Sequence, residues 1–256
     1  MISVVTPAHN EELFIGKCLC SVGAAAKEIS VEVEHIVVLN RCTDATGEIV
    51  NKFGARVLIE NSRNLSRIRN KGAEASKGDI IVTIDADSRM SANMLAEVLK
   101  NLGSGKCIGG GVKIVPERIS LGILFSLSIV APFVLWHGVS AGMFWCLKKD
   151  YNAIGGFDEN LACIEDIDFG KRLKKYGKDS GKHYCTIRKA HIVTSCRKFD
   201  HFGDWYFIKN PMVVYRVFKR DQKQADQFYY DARSEGTEQQ NSAGTKSRRK
   251  FIKSRN

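Results

Sequence analysis

Two aspartates one residue apart, Asp85 and Asp87, close the apolar run IIVTI. Side chains at i and i+2 of an extended segment point the same way, so these carboxylates can share one hard divalent cation or its water shell. A second acidic cluster, Glu165-Asp166-Ile167-Asp168, precedes the Lys-rich, helical FGKRLKKYG. Acids in that place complement a helix N-terminus. One held near a bound hydroxyl can also take its proton as it attacks. Arg67, Arg69, Asn70 and Lys71 form a third group. Alone they describe a solvated basic face; beside a metal-binding pair, an arginine among them can reach a diphosphate. His191 and Arg197 are weaker candidates, since a lone histidine beside a strand more often has a structural partner than a ligand. Gly109-Gly110-Gly111 lacks the spacing of a phosphate-binding loop and reads as turn and close packing.

These residues need a frame that brings them together. ISVVTP, VEHIVVLN, ARVLIE and DIIVTIDADS read as strands, separated by the helical segments LFIGKCLCSVGAAA, RCTDATGEIVNKFG and NLSRIRNKGAEASKG. Thr43 or Asp44 is placed to cap the second helix, Gly54 to end it, and a glycine to end the third. Strands alternating with helices of about 10–15 residues give an α/β fold with a mostly parallel central sheet and flanking helices. Ligands of such sheets bind beyond the carboxyl ends of the strands. His9-Asn10-Glu11, Asn40–Asp44 and Asp85–Ser88 all fall there. A later strand, TIRKAHIVTS, leads into an aromatic basic region, Phe199–Phe218.

The composition is that of a globular chain, with one unusual figure: 39 Lys and Arg against 28 Asp and Glu, a net charge of +11. Six of those basic residues, and no acid, lie in 246–256, after the polar run SEGTEQQNSAGT, which reads as disordered. The excess is therefore largely a tail. Met1 leads straight into an apolar run without a cleavable leader, so the expected location is cytoplasmic. The eight cysteines include no C-x-x-C pair, and in a reducing compartment they read as small buried apolar residues that build no metal site.

Taken in order, ISVVTPAHNEE, NRCTDAT, RNKGAEASKGDIIVTIDADS, NAIGGFDE and EDIDFGKRLKKYG resemble the motifs of the family 2 glycosyltransferases, which have the GT-A fold. The matching segments span residues 1–177. IVTSCRKF is similar to a stretch that some members carry later, extending the match to about Gly203. The resemblance implies one GT-A domain over 1–210: a Rossmann-like nucleotide-sugar half at 1–110 and an acceptor half at 111–210. A C-terminal helix and basic disordered tail would occupy 211–256. It also implies a nucleotide-sugar donor, Mn2+ or Mg2+, and inverting transfer to a hydroxyl of a lipid-linked or cell-surface glycan. Asp85 and Asp87 match the metal and diphosphate motif, and Asp166 the catalytic base. Pro7, Asn10, Glu12 and Arg69 match positions around the nucleotide, where Asp85 also belongs. His191 and Arg197, which bracket IVTSC, are carried with them as a metal ligand and a nucleotide-side residue. One departure is plain. Many members have two acids where this chain has Leu39-Asn40, and the first usually holds the base, so uridine specificity does not carry over.

Ile119–Trp136 is apolar apart from three serines and a glycine, which touches the length of a membrane span. A single crossing would put Asp85 and Asp87 on the side opposite Asp166 and prevent one site from forming. A buried helix pair broken near Pro132, or a segment lying in the membrane interface, is expected instead. An interfacial segment with a basic tail suits a lipid-linked acceptor and peripheral contact with an anionic cytoplasmic leaflet. Two other functions compete. A nucleotidyltransferase would need a Gly/Arg/Lys-rich loop where HNEELFIGK stands. A non-catalytic binder of nucleic acid or another anionic surface would use Lys246–Arg255, but the chain shows no nucleic-acid-reading motif.

Overall fold

The computed structural model describes residues 1–137, 139–140, 142–161 and 164–210. The expected helix and tail at 211–256, and Cys163, lie outside them. Every residue of β1 (Ile2–Ala8) is buried, the pattern of a strand covered on both faces. Around it lie β2 (Val33–Leu39), β3 (Arg56–Ile59) and β4 (Ile80–Ile84), all parallel, in the order β3-β2-β1-β4. The connections are α1 (Ile15–Lys27), α2 (Thr46–Lys52) and α3 (Leu65–Ala75). Asp44 Oδ1 accepts from the amide and hydroxyl of Thr46 at the start of α2, and Gly54 follows its end at φ 70°. Asn64 caps α3 by accepting from Arg67 N at 2.9 Å. The far end of α3 is Ser76, not the expected glycine; its hydroxyl donates to Ala73 O at 2.5 Å. Gly72 lets α3 sit directly on β1, where a Cβ would collide with Val5.

Beyond β4 the sheet is mixed. β5 (Ser88–Met90) and α4 (Met94–Gly103) lead to β6 (Cys107–Pro116), and α5 (Leu121–His137) connects it to β7 (Met143–Leu147). α6 (Lys148–Ala153) and α7 (Glu165–Asp179) precede β8 (His183–Thr194), and α8 (Arg197–Phe202) and α9 (Tyr206–Lys209) end the described chain. β7 runs antiparallel to β4 and β6, β6 parallel to β8, and β5 antiparallel to β8, completing the order β3-β2-β1-β4-β7-β6-β8-β5. The glycine run lies inside strand β6 rather than in a turn. Close packing is its reason, since a Cβ on Gly110 would overlap Cys185 O.

Two expectations from the sequence change here. Cys107 and Cys185 form a disulfide joining β6 to β8, and Cys20 is exposed, so the cysteines are not uniformly small buried residues. Cys18, Cys146 and Cys196 do fit that reading. The apolar stretch forms one continuous 17-residue helix, α5, and not a pair broken near Pro132. No described helix is long and apolar enough to cross a membrane.

Candidate active site

Loops at the carboxyl ends of β1, β2 and β4 meet at one edge of the sheet. Asn10 and Arg41 take left-handed conformations there, with φ 51° and 48°. Asn10 Oδ1 accepts from Thr43 N at 2.8 Å. Glu12 Oε2 accepts from Ala45 N at 3.0 Å, while Asp44 Oδ2 accepts from Glu12 N at 3.0 Å. Asn10 and Glu12 thus knit the first two loops into a shelf. Pro7 is buried in β1 opposite Val38. Asn40 is buried and donates to the carbonyls of Glu60 and Ser62 at 2.5 and 2.7 Å. Leu39 packs on the apolar cluster of Ile15, Leu19 and Val50, so an aliphatic side chain stands where many members of the resembled family carry an acid.

Arg69 anchors the centre of the edge. Its side chain is 3 % exposed, although it lies on a helix rich in charge. One nitrogen, Nη1, donates to Asp166 Oδ1 at 2.7 Å and Glu165 Oε1 at 3.0 Å; Nη2 donates to Asp85 Oδ1 at 2.9 Å. Its guanidinium also lies 5.0 Å from the Phe157 ring centroid, a cation–π distance. Phe157 stacks on Phe169 of α7 with centroids 4.3 Å apart, which fixes α7 against the site. Ile164, a β-branched residue at φ 58°, turns the chain into α7 immediately before Glu165. Such a conformation is strained and persists only where its surroundings enforce it.

A second arginine holds the other aspartate. Arg197, just past β8, donates to both oxygens of buried Glu11 at 2.8 and 2.9 Å and to Asp87 Oδ2 at 3.2 Å. Ser195 Oγ donates to the same Asp87 oxygen at 3.1 Å, and Ser195 N to the Asp87 carbonyl at 3.1 Å. Residues just past the end of β8 therefore grip the Asp85–Asp87 turn.

The electrostatics follow from crowding. Burial opposes the charge on Arg69, but Asp166, Asp85 and Glu165 outweigh it and hold the guanidinium protonated. Burial raises the Asp85 pKa; Arg69 opposes that shift, and the charges of Asp166 and Asp87 add to it. Burial, then the charge of Asp166, pushes Glu165 up to about 7 against the pull of Arg69. Five carboxylates (Glu11, Asp85, Asp87, Glu165 and Asp166) face two guanidiniums at this edge.

The structure thus brings together Asp85, Asp87, Arg69, Asp166 and Arg197, with Asn10 and Glu12 in the adjoining loops. It does not bring His191 to the two aspartates. β8 pairs Thr194 with Ser88, so His191 sits about four strand residues, roughly 13 Å, before the Ser195 that touches Asp87. Its side chain is exposed and its amide donates to Ser91 Oγ. Among the described residues, no group of three His, Cys, Asp or Glu is placed to hold a metal. Arg67 and Lys71 also turn away, to Glu159 at 3.0 Å and Glu60 at 3.5 Å. Asn70 is structural, bonding Tyr151 and the Phe157 backbone. The sequence placed Glu11 at this edge in the cluster His9-Asn10-Glu11 but gave the site role to its neighbour Glu12, and it passed over Ser195. The run of two glutamates after a strand was the available signal, but it does not say which one turns inward.

The fold and the converging edge define a GT-A type α/β protein. Residues 3–121, a little under half of the chain, match the family described as Glycosyl transferase family 2. An undecaprenyl-phosphate 4-deoxy-4-formamido-L-arabinose transferase of Pseudomonas aeruginosa (strain LESB58) is 22% identical over 198 residues, 75% of this chain and 57% of its own. The chain thus spans a little over half the length of such curated relatives. S. aureus TarS, solved with UDP-GlcNAc, superposes with a TM-score of 0.61 at 17% identity, covering 90% of this chain and 71% of that one. Glucosyl-3-phosphoglycerate synthase from Mycobacterium tuberculosis, solved with Mn2+, UDP and phosphoglyceric acid, gives 0.58 at 17% identity, with 84% and 77% covered. These likenesses establish the shared fold.

Proposed function

We propose that the chain is an inverting glycosyltransferase that moves a sugar from a nucleotide-sugar donor to a hydroxyl of a lipid-linked or cell-surface glycan. The observation that carries this reading is the fork of Arg69, which holds Asp85 and Asp166 on a single side chain. A diphosphate-side carboxylate and a base must face the same sugar from different directions, and one guanidinium sets their spacing. The donor set at Asp85 and Asp87 fits a hard divalent cation such as Mn2+ or Mg2+, because an edge with three more carboxylates than guanidiniums favours added positive charge. When bound, such a cation would neutralise charge gathering on the departing diphosphate.

The protein's own residues do the rest. Asp166 accepts the proton of the acceptor hydroxyl as that oxygen attacks the anomeric carbon, and the bond to the diphosphate oxygen breaks with its electron pair leaving on the nucleotide. Arg69 holds Asp166 in place through its 2.7 Å contact. Arg197 holds Asp87, while Pro7, Asn10 and Glu12 form the shelf for the nucleotide. TarS with UDP-GlcNAc supports a nucleotide-sugar donor, and the undecaprenyl-phosphate transferase supports an acceptor carried on lipid. The reading places the chain in the cytoplasm with peripheral contact to the membrane.

The test is a panel of nucleotide sugars with Mn2+ or Mg2+, scored for thermal stabilisation and for donor hydrolysis or transfer. At least one donor stabilises the protein in a metal-dependent way. Asp166→Asn keeps that stabilisation and loses transfer by about 10²–10⁴-fold; Asp87→Asn loses the metal dependence. A chain that answers no donor overturns the proposal.

A further inference from the structure

Helix α5 is arranged the wrong way round for a helix on a water-facing surface. Gly122, Ile123 and Ser126 face the protein, while Leu121, Leu124, Phe125, Leu127 and Ile129 are 39–70 % exposed. The small polar residues make the inward contacts: Ser126 Oγ donates to Asp204 O at 2.8 Å, and Ser120 Oγ to Asp204 Oδ2 at 2.5 Å. Trp205 extends the outward face, stacking on Phe125 with centroids 5.9 Å apart while 45 % exposed. A helix that is apolar all round belongs in a core or in lipid, and over residues 121–129 this one has only one side in the protein.

The helix does not cross a bilayer. Its 17 residues span about 26 Å, short of the roughly 30 Å hydrocarbon core, and the strands before and after it, β6 and β7, pair with each other in one sheet. A helix so tethered can only lie in the interface, with its outer face in the acyl boundary. The ring of Trp205 suits that depth, with an apolar body and one polar N–H. The face also offers little to a protein partner, whose interfaces carry about one hydrogen bond per 100–200 Å². Its exposed hydroxyl, Ser128 Oγ, already donates to Phe125 O at 2.6 Å. The carboxylates beside it, Asp200 and Asp204, are both tied to Arg118 at 2.6 Å, and with Lys209 these four charges cancel.

The described rim is thus neutral, and the unbalanced charge lies in the sequence that follows. Six Lys and Arg and no acid occupy 246–256, and the chain leads there from α9, which packs on α5. We propose that the outward face of α5, with Trp205, inserts into the headgroup boundary of an anionic bilayer, and that the basic run at 246–256 contacts its acidic headgroups. This rests on the lipid-side acceptor of the proposed function and names the surface that reaches it.

Vesicle flotation of the full chain tests it, using phosphatidylcholine alone and an equimolar mixture with phosphatidylglycerol. Donor-induced thermal stabilisation without vesicles is measured in parallel. The chain should float with the anionic mixture. Leu124→Glu with Phe125→Glu, at two exposed positions, should weaken that partition about tenfold or more and leave the donor response unchanged. Replacing Lys246, Arg248, Arg249, Lys250, Lys253 and Arg255 by Gln should abolish the preference for anionic over neutral vesicles. If the wild type does not float, or the double variant floats as well as the wild type, the inference is overturned. It is equally overturned if the double variant turns a dimer into a monomer without changing partition, because a second copy then covers the face. A chain that floats but answers no donor keeps this inference and loses the proposed function; one that answers a donor and does not float does the reverse.

Discussion

Arg69 and Arg197 do the same kind of work on opposite sides of the Asp85–Asp87 turn, yet their surroundings differ. Arg69 is 3 % exposed and holds three carboxylates, one just past β4 and two from α7; Arg197 is 18 % exposed and holds two, Glu11 and Asp87. The first comes from α3, inside the segment that matches the family, and the second from beyond residue 121. A buried charge surrounded by opposite charge is costly to desolvate and more costly to strand. The Arg69 cluster is therefore the more heavily charged and more deeply buried of the two, and the Arg197 clamp closes the site from the later part of the chain. One is a foundation and the other a latch.

Breaking the foundation has the largest expected effect. Arg69→Met leaves Asp85, Glu165 and Asp166 without their shared partner and should destabilise the fold by about 3–5 kcal/mol in denaturant unfolding. A loss below about 1 kcal/mol would mean the cluster relaxes into water and the contrast with Arg197 is not real. The next effect is a pH dependence. Glu165 has a folded pKa of about 7 against an ordinary 4.5, so it favours the protonated form in the folded state. The unfolded chain binds fewer protons between those values, and stability is complete below about pH 4.5 and lost as pH rises through 7, by about 3 kcal/mol. Glu165→Gln should flatten that slope and raise stability at pH 8. An unchanged slope would place its origin elsewhere.

The first half of the fold was legible because parallel strands buried on both faces read as unbroken apolar runs, as in ISVVTPA and IIVTI. Asp85, Asp87 and Asp166 were legible through their spacing and order. The second half was not, since β5 has only three residues and β8 shifts register against β6 between Val112 and Lys113. His191 is far from the aspartates because four strand residues of β8 separate it from Ser195. The Cys107–Cys185 bond is equally hidden, joining residues 78 apart whose meeting depends on the β6–β8 pairing. Arg67, Arg69 and Lys71 look alike as a basic run. Only the helix face separates them, with Ser66, Arg69, Asn70 and Ala73 turned inward.

Opening the latch should cost less than removing the foundation. Arg197→Met removes the two-pronged partner of Glu11, which is 2 % exposed, but leaves Asp87 with Ser195, and a loss of about 2 kcal/mol is expected. A loss equal to that of Arg69→Met would erase the distinction between the two clusters.

The smallest effect belongs to Arg67, two positions from Arg69 on the same helix. Its side chain is 55 % exposed and pairs with Glu159, itself 38 % exposed, across 3.0 Å. A pair so wetted loses little when broken, because water replaces the partner on both sides and salt screens what remains. Glu159 also keeps its bond from Asn70 Nδ2 at 3.0 Å, so it is not stranded. Arg67→Gln should therefore change stability by less than about 0.5 kcal/mol and leave the donor-induced thermal shift where it was. If that shift disappeared instead, a diphosphate would have to reach the exposed side of α3. The inward face that sets Arg69 apart from its neighbours would then not be the face that meets the donor.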